Sequence, residues 1–326
     1  SASRSDSDTE EYCTNYDELD DEGKEEVEER GAHTSFESAK EEVEADLDDF
    51  ADITYTYSAK EITAPKGYYN DSPDKLVSET IVGNETANLE FSDTEQLAEL
   101  TIKKEGEVLT GATVASNGVT FKYEVKPLSG AVYSVYAAEA IKTGYGKTVY
   151  DKGDLVKSGL TTDSKGEVKL ANLHIGKYTV KETKPPHGYI LNNAEKTVTF
   201  TYGGQNVKMV YQSTSYTNTR QKAQVSLLKQ DADTKKPLDG AVYGLYADSD
   251  IKDHKGNKIV NKGTLIEKVT TAANGKATFK ADLPIDLKYM VKEITAPYGY
   301  YKNETKYSVS FNYTNMNEAI VKFSNT

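Results

Sequence analysis

An internal repeat constrains this chain more than any other feature, because a unit written twice must fold twice. KPLSGAVYSVYA (126–137) returns as KPLDGAVYGLYA (236–247), and DSKGEVKLANLHIGKYTVKE (163–182) returns as ANGKATFKADLPIDLKYMVKE (273–293). A third phrase occurs three times, as YTYSAKEITAPKGYY (55–69), YTVKETKPPHGYI (178–190) and YMVKEITAPYGYY (289–301), carrying Glu61, Glu182 and Glu293. Each copy then runs to a closing strand that ends on an amide or acid: EFSDT with Asp93, SYTNT with Asn218 and KFSNT with Asn325.

The spacings hold one register. From glutamate to terminal residue is 32 positions (61 to 93), 36 (182 to 218) and 32 (293 to 325). Eleven positions beyond Asp93 and Asn218 stand Lys104 and Lys229, at the ends of LTIKK and VSLLK, which read as opening strands of the next unit. The boundaries drawn from this register are 1–50, 51–96, 97–219 and 220–326. Lys104 and Pro127 are 23 residues apart, whereas Lys229 and Pro237 are eight apart. GEVLTGATVASNGVTFKYEV fills the difference as an extra hairpin, with Asn-Gly as the turn signal. The 64-residue lysine-to-glutamate separation of the last unit, counted back from Glu61, falls before residue 1. Unit 51–96 is therefore shortened, diverged or cut, and Lys24 and Lys40 are merely available to it.

With 24 Tyr, frequent Thr and no Trp, the short Val/Ile/Tyr/Thr runs between Gly and Pro read as strands. Many short strands with turns between them pack as β-sandwiches, so the fold class is mainly β. The formal charge of −13 is local: residues 1–50 hold 20 Asp or Glu against four Lys or Arg (−16), leaving +3 for the rest. That distribution excludes a basic nucleic-acid footprint. SFESAKEEVEADLDDFADI spaces Phe36, Ala39, Val43, Leu47 and Phe50 at rough helical intervals, and DELDDEGKEEVEE before it reads as helix or disorder. No apolar run is long enough for a membrane span, and no signal peptide or sorting signal is read, so an extracellular protein would extend beyond this sequence.

The repeated lysine, glutamate and asparagine suggest a specific chemistry. If Lys229 and Asn325 lie on adjacent strands and point inward, burial lowers the lysine pKa and makes the amine nucleophilic. A buried glutamate shifts the other way, stays protonated, polarises the carboxamide and shuttles protons as ammonia leaves. The product is an intramolecular isopeptide bond, formed without an external enzyme because folding holds the groups together.

Lys229-Gln230-Asp231, PLDGAVYGLY, VKEITAPYGY and the terminal Asn-Thr resemble the Cna B-type (SpaA-like) domains of Gram-positive pilins and surface adhesins. The resemblance implies Ig-like or prealbumin-like sandwiches in an elongated row, with Lys229, Glu293 and Asn325 acting in the last unit. It implies Lys104, Glu182 and Asn218 in the unit before, and Glu61 with Asp93 in the first. In the middle unit Lys104-Glu105-Gly106 stands where Lys-x-Asp is expected. Lys103 and Lys122 compete there as nucleophiles, although strand alternation lets only one of Lys103 and Lys104 face inward.

The function this implies is a structural stalk segment of a cell-wall-anchored, extracellular pilin or adhesin, with other subunits or domains as partners. It is not an enzyme beyond one self-modifying turnover. The other reading is an adhesive module for host matrix protein or glycan, using the extra hairpin or the tyrosine-rich GYY turns. No paired catalytic carboxylates point to a carbohydrate-active enzyme. No cofactor or metal is expected: His33, His174, His187 and His254 are scattered, and ELDDEGKEEVEE (18–29) lacks the Asp or Asn positions of a calcium loop. Cys13 is alone, so no intrachain disulfide can form, and its acidic neighbours argue against a reactive thiol. Asn84, Asn303 and Asn312 open N-x-Thr sequons, which mean little if the source is bacterial, as the resemblance implies.

Overall fold

The computed structural model describes residues 54–82, 85–313, 316–317 and 320–325, the last of these as backbone. The acidic segment 1–50 with its helix-like spacing, Cys13, His33, Lys24, Lys40, the 18–29 stretch and Asn84 all lie outside the described residues, as does the Asn325 side chain. Among the described residues every regular element of four residues or more is a β-strand.

Two compact units form. The first comprises the chain through Thr94 together with Gly204–Asn206. It holds β1 (Thr54–Ala59), β2 (Tyr68–Tyr69), β3 (Val77–Val82) and the start of β4 (Thr94–Glu95). β1 and β3 pair antiparallel from Thr54 opposite Val82 to Ala59 opposite Val77. Hydroxyl pairs Thr56–Thr80 (2.8 Å) and Ser58–Ser78 (2.7 Å) fix that register across the ladder.

The second unit contains two sandwiches with matching strand orders. The earlier one runs β5 (Leu97–Ala115), β6 (Gly118–Pro127), β7 (Val132–Ala137), β8 (Ile141–Lys142), β9 (Thr148–Tyr150), β10 (Leu155–Thr161), β11 (Glu167–His174), β12 (Gly176–Lys184), β13 (Lys196–Phe200) and β14 (Met209–Asn218). Its sheets are β11-β5-β14 and β10-β7-β12-β13. The later one runs β15 (Lys222–Leu228), β16 (Val242–Ala247), β17 (Ile251–Lys252), β18 (Lys258–Val260), β19 (Leu265–Thr270), β20 (Lys276–Thr278), β21 (Leu287–Thr295), β22 (Lys306–Phe311) and β23 (Ile320–Asn325). Its sheets, β20-β15-β23 and β19-β16-β21-β22, repeat the same order. In both, the opening and closing strands are neighbours and run parallel.

The alternation of LAELTIKKEG builds the first of these strands. Ala98, Leu100, Ile102, Lys104 and Gly106 face the interior, while Lys103 and Glu105 face solvent. Ala98, Leu100 and Ile102 meet Tyr133, Val135, Tyr178, Val180, Phe200 and Tyr216 to fill the core. The second core is built from the corresponding positions Val225, Tyr243, Leu245, Tyr289, Val291 and Phe311.

The extra hairpin forms, with β5 and β6 pairing from Glu105 opposite Pro127 to Ala115 opposite Gly118. Its turn differs from the sequence expectation: Ser116 and Asn117 occupy the loop, and Gly118 opens β6. Glycine is needed there because an added Cβ would lie 2.4 Å from the Ile266 carbonyl oxygen of the later sandwich. The hairpin leans on that sandwich throughout. Val119 and Phe121 belong to its core, with Leu109, Ala112 and Tyr123 packed against it. The His254 N–H donates to the Leu109 carbonyl at 2.9 Å, and the Tyr123 hydroxyl donates to the Asp282 carbonyl at 2.9 Å. Buried Arg220 lies 3.7 Å over the Tyr123 ring and pairs with Glu107 and Asp282.

Candidate functional site

Lys104 is held from both sides by backbone. Its N–H donates to the Gly166 carbonyl (2.7 Å), and its carbonyl accepts from the Leu128 N–H (2.9 Å). Lys229 is held the same way, by Gly275 (2.8 Å) and Leu238 (2.9 Å). Gly166 and Gly275 have φ of 71° and 72°, and a Cβ on either would lie within 2.5 Å of the lysine carbonyl oxygen. This explains the repeated DSKG and AANG: only glycine lets the turn pin the lysine strand this closely.

Glu182 arrives from the opposite sheet. β12 places it across from Tyr133, and the Asn192 N–H donates to its Oε2 at 2.7 Å. Asn218 ends β14, opposite Gly106 and two positions beyond Lys104. The three side chains meet in the interior. Lys104 Nζ lies 2.9 Å from Glu182 Oε1, with both side chains fully excluded from solvent. Lys104 Nζ also donates to Asn218 Oδ1, and Asn218 Nδ2 donates to Glu182 Oε1 (3.0 Å) and Oε2 (2.9 Å). Burial pushes the Lys104 pKa below its ordinary value, and the Glu182 carboxylate opposes that shift. Tyr133 and Tyr216, with rings 5.1 Å apart, wall the group, and Lys104 Nζ lies 5.8 Å from the Tyr216 ring centre. Burial first, and the neighbouring Glu182 charge second, raise the Tyr133 pKa.

The competing lysines are elsewhere. Lys103 points outward and pairs with Glu167 at 3.1 Å, and Lys122 is exposed on β6. Gly106, in place of the expected aspartate, has a steric cause: a Cβ there would lie 2.8 Å from the Tyr189 ring and 2.9 Å from the Asn218 carbonyl oxygen. In the later sandwich the strand stops instead of continuing into a hairpin, and Asp231 makes the stop. Its Oδ1 accepts from the N–H groups of Asp233 and Thr234, and its Oδ2 from the Tyr300 hydroxyl. These bonds, Thr234 foremost, lower the Asp231 pKa to about 2.

In the later sandwich Lys229 Nζ lies 3.0 Å from Glu293 Oε1, with side-chain exposures of 14% and 1%. The Asn303 N–H donates to Glu293 Oε2 at 2.6 Å, the counterpart of Asn192. The backbone of Asn325 stands opposite Leu227, two positions before Lys229. In the first unit Glu61 and Asp93 line one cavity with Asp71 and Lys75. Partial burial, then a hydrogen bond and charge repulsion from Asp93, raise the Glu61 pKa. Lys75 is the described lysine of that cavity and is exposed.

Sequence reasoning missed Asn192 and Asn303, although each stands ten positions after its glutamate. Each also caps its own turn, through Ala194 N–H (3.0 Å) and Thr305 N–H (2.9 Å). It missed Lys75 too, which stands 14 positions after Glu61 as Lys196 stands 14 after Glu182. Among the described residues, no group of three or more His, Cys, Asp or Glu could hold a metal, and no helix is long and apolar enough to cross a membrane.

Comparison with known proteins places the chain in a family. No curated protein sequence matches the chain. Among solved structures, the Bacillus anthracis TIE protein aligns with a TM-score of 0.53 at 26% identity, over 83% of this chain and 41% of its own. The chain thus spans less than half the length of that relative. The shaft pilin SpaA from Lactobacillus rhamnosus GG aligns at 18% identity and TM-score 0.27, over 71% of this chain and 98% of the pilin. A streptococcal ancillary pilin aligns at 18% and 0.27, over 82% and 74%. The model of the SpaA family, described as a prealbumin-like fold domain, matches residues 120–215 and 223–326. The first match begins inside β6, after the inserted turn, and so omits the strand that carries Lys104. With well over half of its residues matched, the chain belongs to the SpaA-like, Cna B-type family of prealbumin-fold domains.

Proposed function

We propose that this chain is a structural segment of the stalk of a Gram-positive cell-surface pilin or adhesin. In this reading its two sandwiches are locked by the amides Lys104–Asn218 and Lys229–Asn325. The observation that carries the reading is the buried contact of Lys104 Nζ, Glu182 and Asn218, each touching the other two. Lys104 gives up a proton to Glu182, and its neutral amine attacks the Asn218 side-chain carbonyl carbon. Glu182 then returns that proton to the departing Nδ2 and takes the surplus proton from the attacking nitrogen, so that one C–N bond forms, one breaks, ammonia leaves and the last proton rests on Glu182. No oxidant or cofactor enters the balance. Lys229 and Glu293 repeat the arrangement, with Asn325 as the partner implied by the repeat. Glu61 and Asp93 form the corresponding acid pair in the first unit, where the same chemistry would release water.

The stalk role follows from what such a bond does. It joins the first and last strands of a sandwich, so tension entering at one and leaving at the other passes through a covalent link. Closing a loop of 114 residue steps, from Lys104 to Asn218, removes about 4–5 kcal/mol of unfolded-state entropy by analogy with disulfides. The extra hairpin is poorly placed to be an adhesive surface, because Val119 and Phe121 on its apolar side are buried in the later core. Proteolysis followed by tandem mass spectrometry tests the assignment. A branched peptide joining Lys104 to Asn218 is expected; recovery of both residues in linear, unmodified peptides would refute it.

A further inference from the structure

The repeated glutamate is followed by a repeated loop, and the three copies of that loop differ in what covers them. Nine positions after the glutamates Glu61, Glu182 and Glu293 stand Asn70, Leu191 and Lys302. In the first unit the Asn70 N–H donates to the Gln205 carbonyl at 3.0 Å, and the Ala64 N–H to the Gln205 side-chain oxygen at 2.6 Å. In the second copy the Leu191 N–H donates to the Met316 carbonyl at 2.8 Å. Gln205 lies between β13 and β14, and Met316 between β22 and β23. These are the same place in the repeat: the connection that precedes the closing strand of the sandwich following the loop.

The second copy adds further contacts of the same kind. The Ile190 N–H donates to Thr219 and the Gln221 N–H to Gly188, while the Tyr313 hydroxyl donates to the Tyr189 carbonyl. His187 stands 2.7 Å from Asp286. Tyr189 is 8% exposed, with its hydroxyl donating to the Glu107 carbonyl at 2.7 Å and its ring beside Gly106 of its own sandwich. The third copy keeps the loop's internal geometry without the cover. The Tyr300 N–H still donates to Pro297 (3.1 Å), as Tyr189 does to Pro186 (3.2 Å), and Gly299 keeps φ of 85° beside the 88° of Gly188. Yet Tyr298 and Tyr301 are fully exposed, Tyr300 is 43% exposed, and among the described residues the Lys302 N–H has no acceptor.

We infer that the loop 297–303 is an open joint, built to receive a further sandwich of this same family. The connection before that sandwich's closing strand would supply the carbonyl for Lys302, and its body would cover Tyr300 and Tyr301. Their counterparts Tyr68, Tyr69, Tyr189 and Ile190 are part-buried or buried, whereas the counterparts of Tyr298, Lys66 and His187, stay exposed. Both equivalent connections of this chain, at Gln205 and Met316, are already engaged, so a second copy of the folded chain has none to offer. The preformed loop explains why a docking site exposing Tyr300 and Tyr301 holds its shape unliganded: its backbone is fixed by Pro297 and by the Asn303 bond to Glu293. The inference does not depend on whether the lysines and asparagines are covalently joined.

Hydrogen exchange tests it. The full chain is extended directly after Thr326 by a second copy of residues 95–326, which form one compact body apart from Gly204–Asn206. This reproduces the Asp93-Thr94-Glu95 junction as Asn325-Thr326-Glu. The Lys302 amide should exchange about tenfold or more slowly in the extended chain, as expected for one gained hydrogen bond, with the Asn70 and Leu191 amides as protected controls. An unchanged Lys302 rate beside protected Asn70 and Leu191 would overturn the inference. Slowing on self-mixing of the unextended chain would also overturn it, in favour of a second copy as occupant.

Discussion

At Lys104 two opposing influences act on one amine. Removal from water favours the neutral form, and the Glu182 carboxylate 2.9 Å away favours the charged one; burial is the larger, so the pKa falls. A test follows in Asn218→Ala, which leaves the amine with nothing to join. Its folded Lys104 pKa lies below the unfolded value, so the unfolded state holds more protons between the two. Stability of the variant should rise as pH increases from neutral towards 10, a slope that the proposed cross-link would remove from the parent by consuming its amine. Parallel denaturant titrations across that range would show it, and identical pH slopes for variant and parent would contradict it. Asp231 carries a second pH signature. Its pKa, depressed to about 2, means the turn it caps is stabilised above the ordinary carboxylate range and released as pH falls through about 2. Asp231→Asn should flatten acid unfolding in that window. The lysine, glutamate and asparagine were legible because the repeat fixes their spacing. Strand parity said that only one of Lys103 and Lys104 faces inward; that it is Lys104, and that Lys122 is exposed, needed the fold. The Asn192 and Asn303 amides that hold the glutamates were illegible because backbone donors leave no side-chain signature.

Strands and turns were readable for a plain reason: period-two burial and glycine punctuation are local signals. The destination of the inserted hairpin was not, since the sequence of β5 and β6 does not say which body its apolar side meets. Gly118 illustrates the difference. As half of an Asn-Gly pair it signals a turn, yet its place is set by contact with Ile266, 148 positions away. Because Phe121 belongs to the later core, Phe121→Ala should destabilise the sandwich of β15–β23 by about 3 kcal/mol, close to the cost of emptying a core aromatic site. Exchange rates of Leu245 and Val291 amides, deep in that core, would report the loss. Destabilisation confined to the β5–β14 sandwich would show that the hairpin belongs with its own domain.

Across the whole molecule, a single cysteine leaves no intrachain disulfide, so any covalent clamp must be built from other side chains. Two amides, each tying an opening strand to a closing strand, would leave almost the entire span from 104 to 218 and from 229 to 325 unable to lengthen. Pulled from its ends, the chain should lack roughly 400 Å of extension for the first lock alone, at about 3.5 Å for each of its 114 residue steps. Glu182→Ala should restore that length, and a parent that extends fully would show that no lock exists. The first unit is the part the sequence conveyed least, since Lys24 and Lys40 lie outside the described residues, and Lys75, the lysine of its cavity, is exposed.

The mass of the intact, denatured chain tests the central claim most directly. The account predicts a mass lower than that of the sequence by two ammonias, with one restored by Glu182→Ala and the other by Glu293→Ala; a further loss of one water would mark reaction at Asp93. A mass equal to that of the unmodified sequence would contradict it.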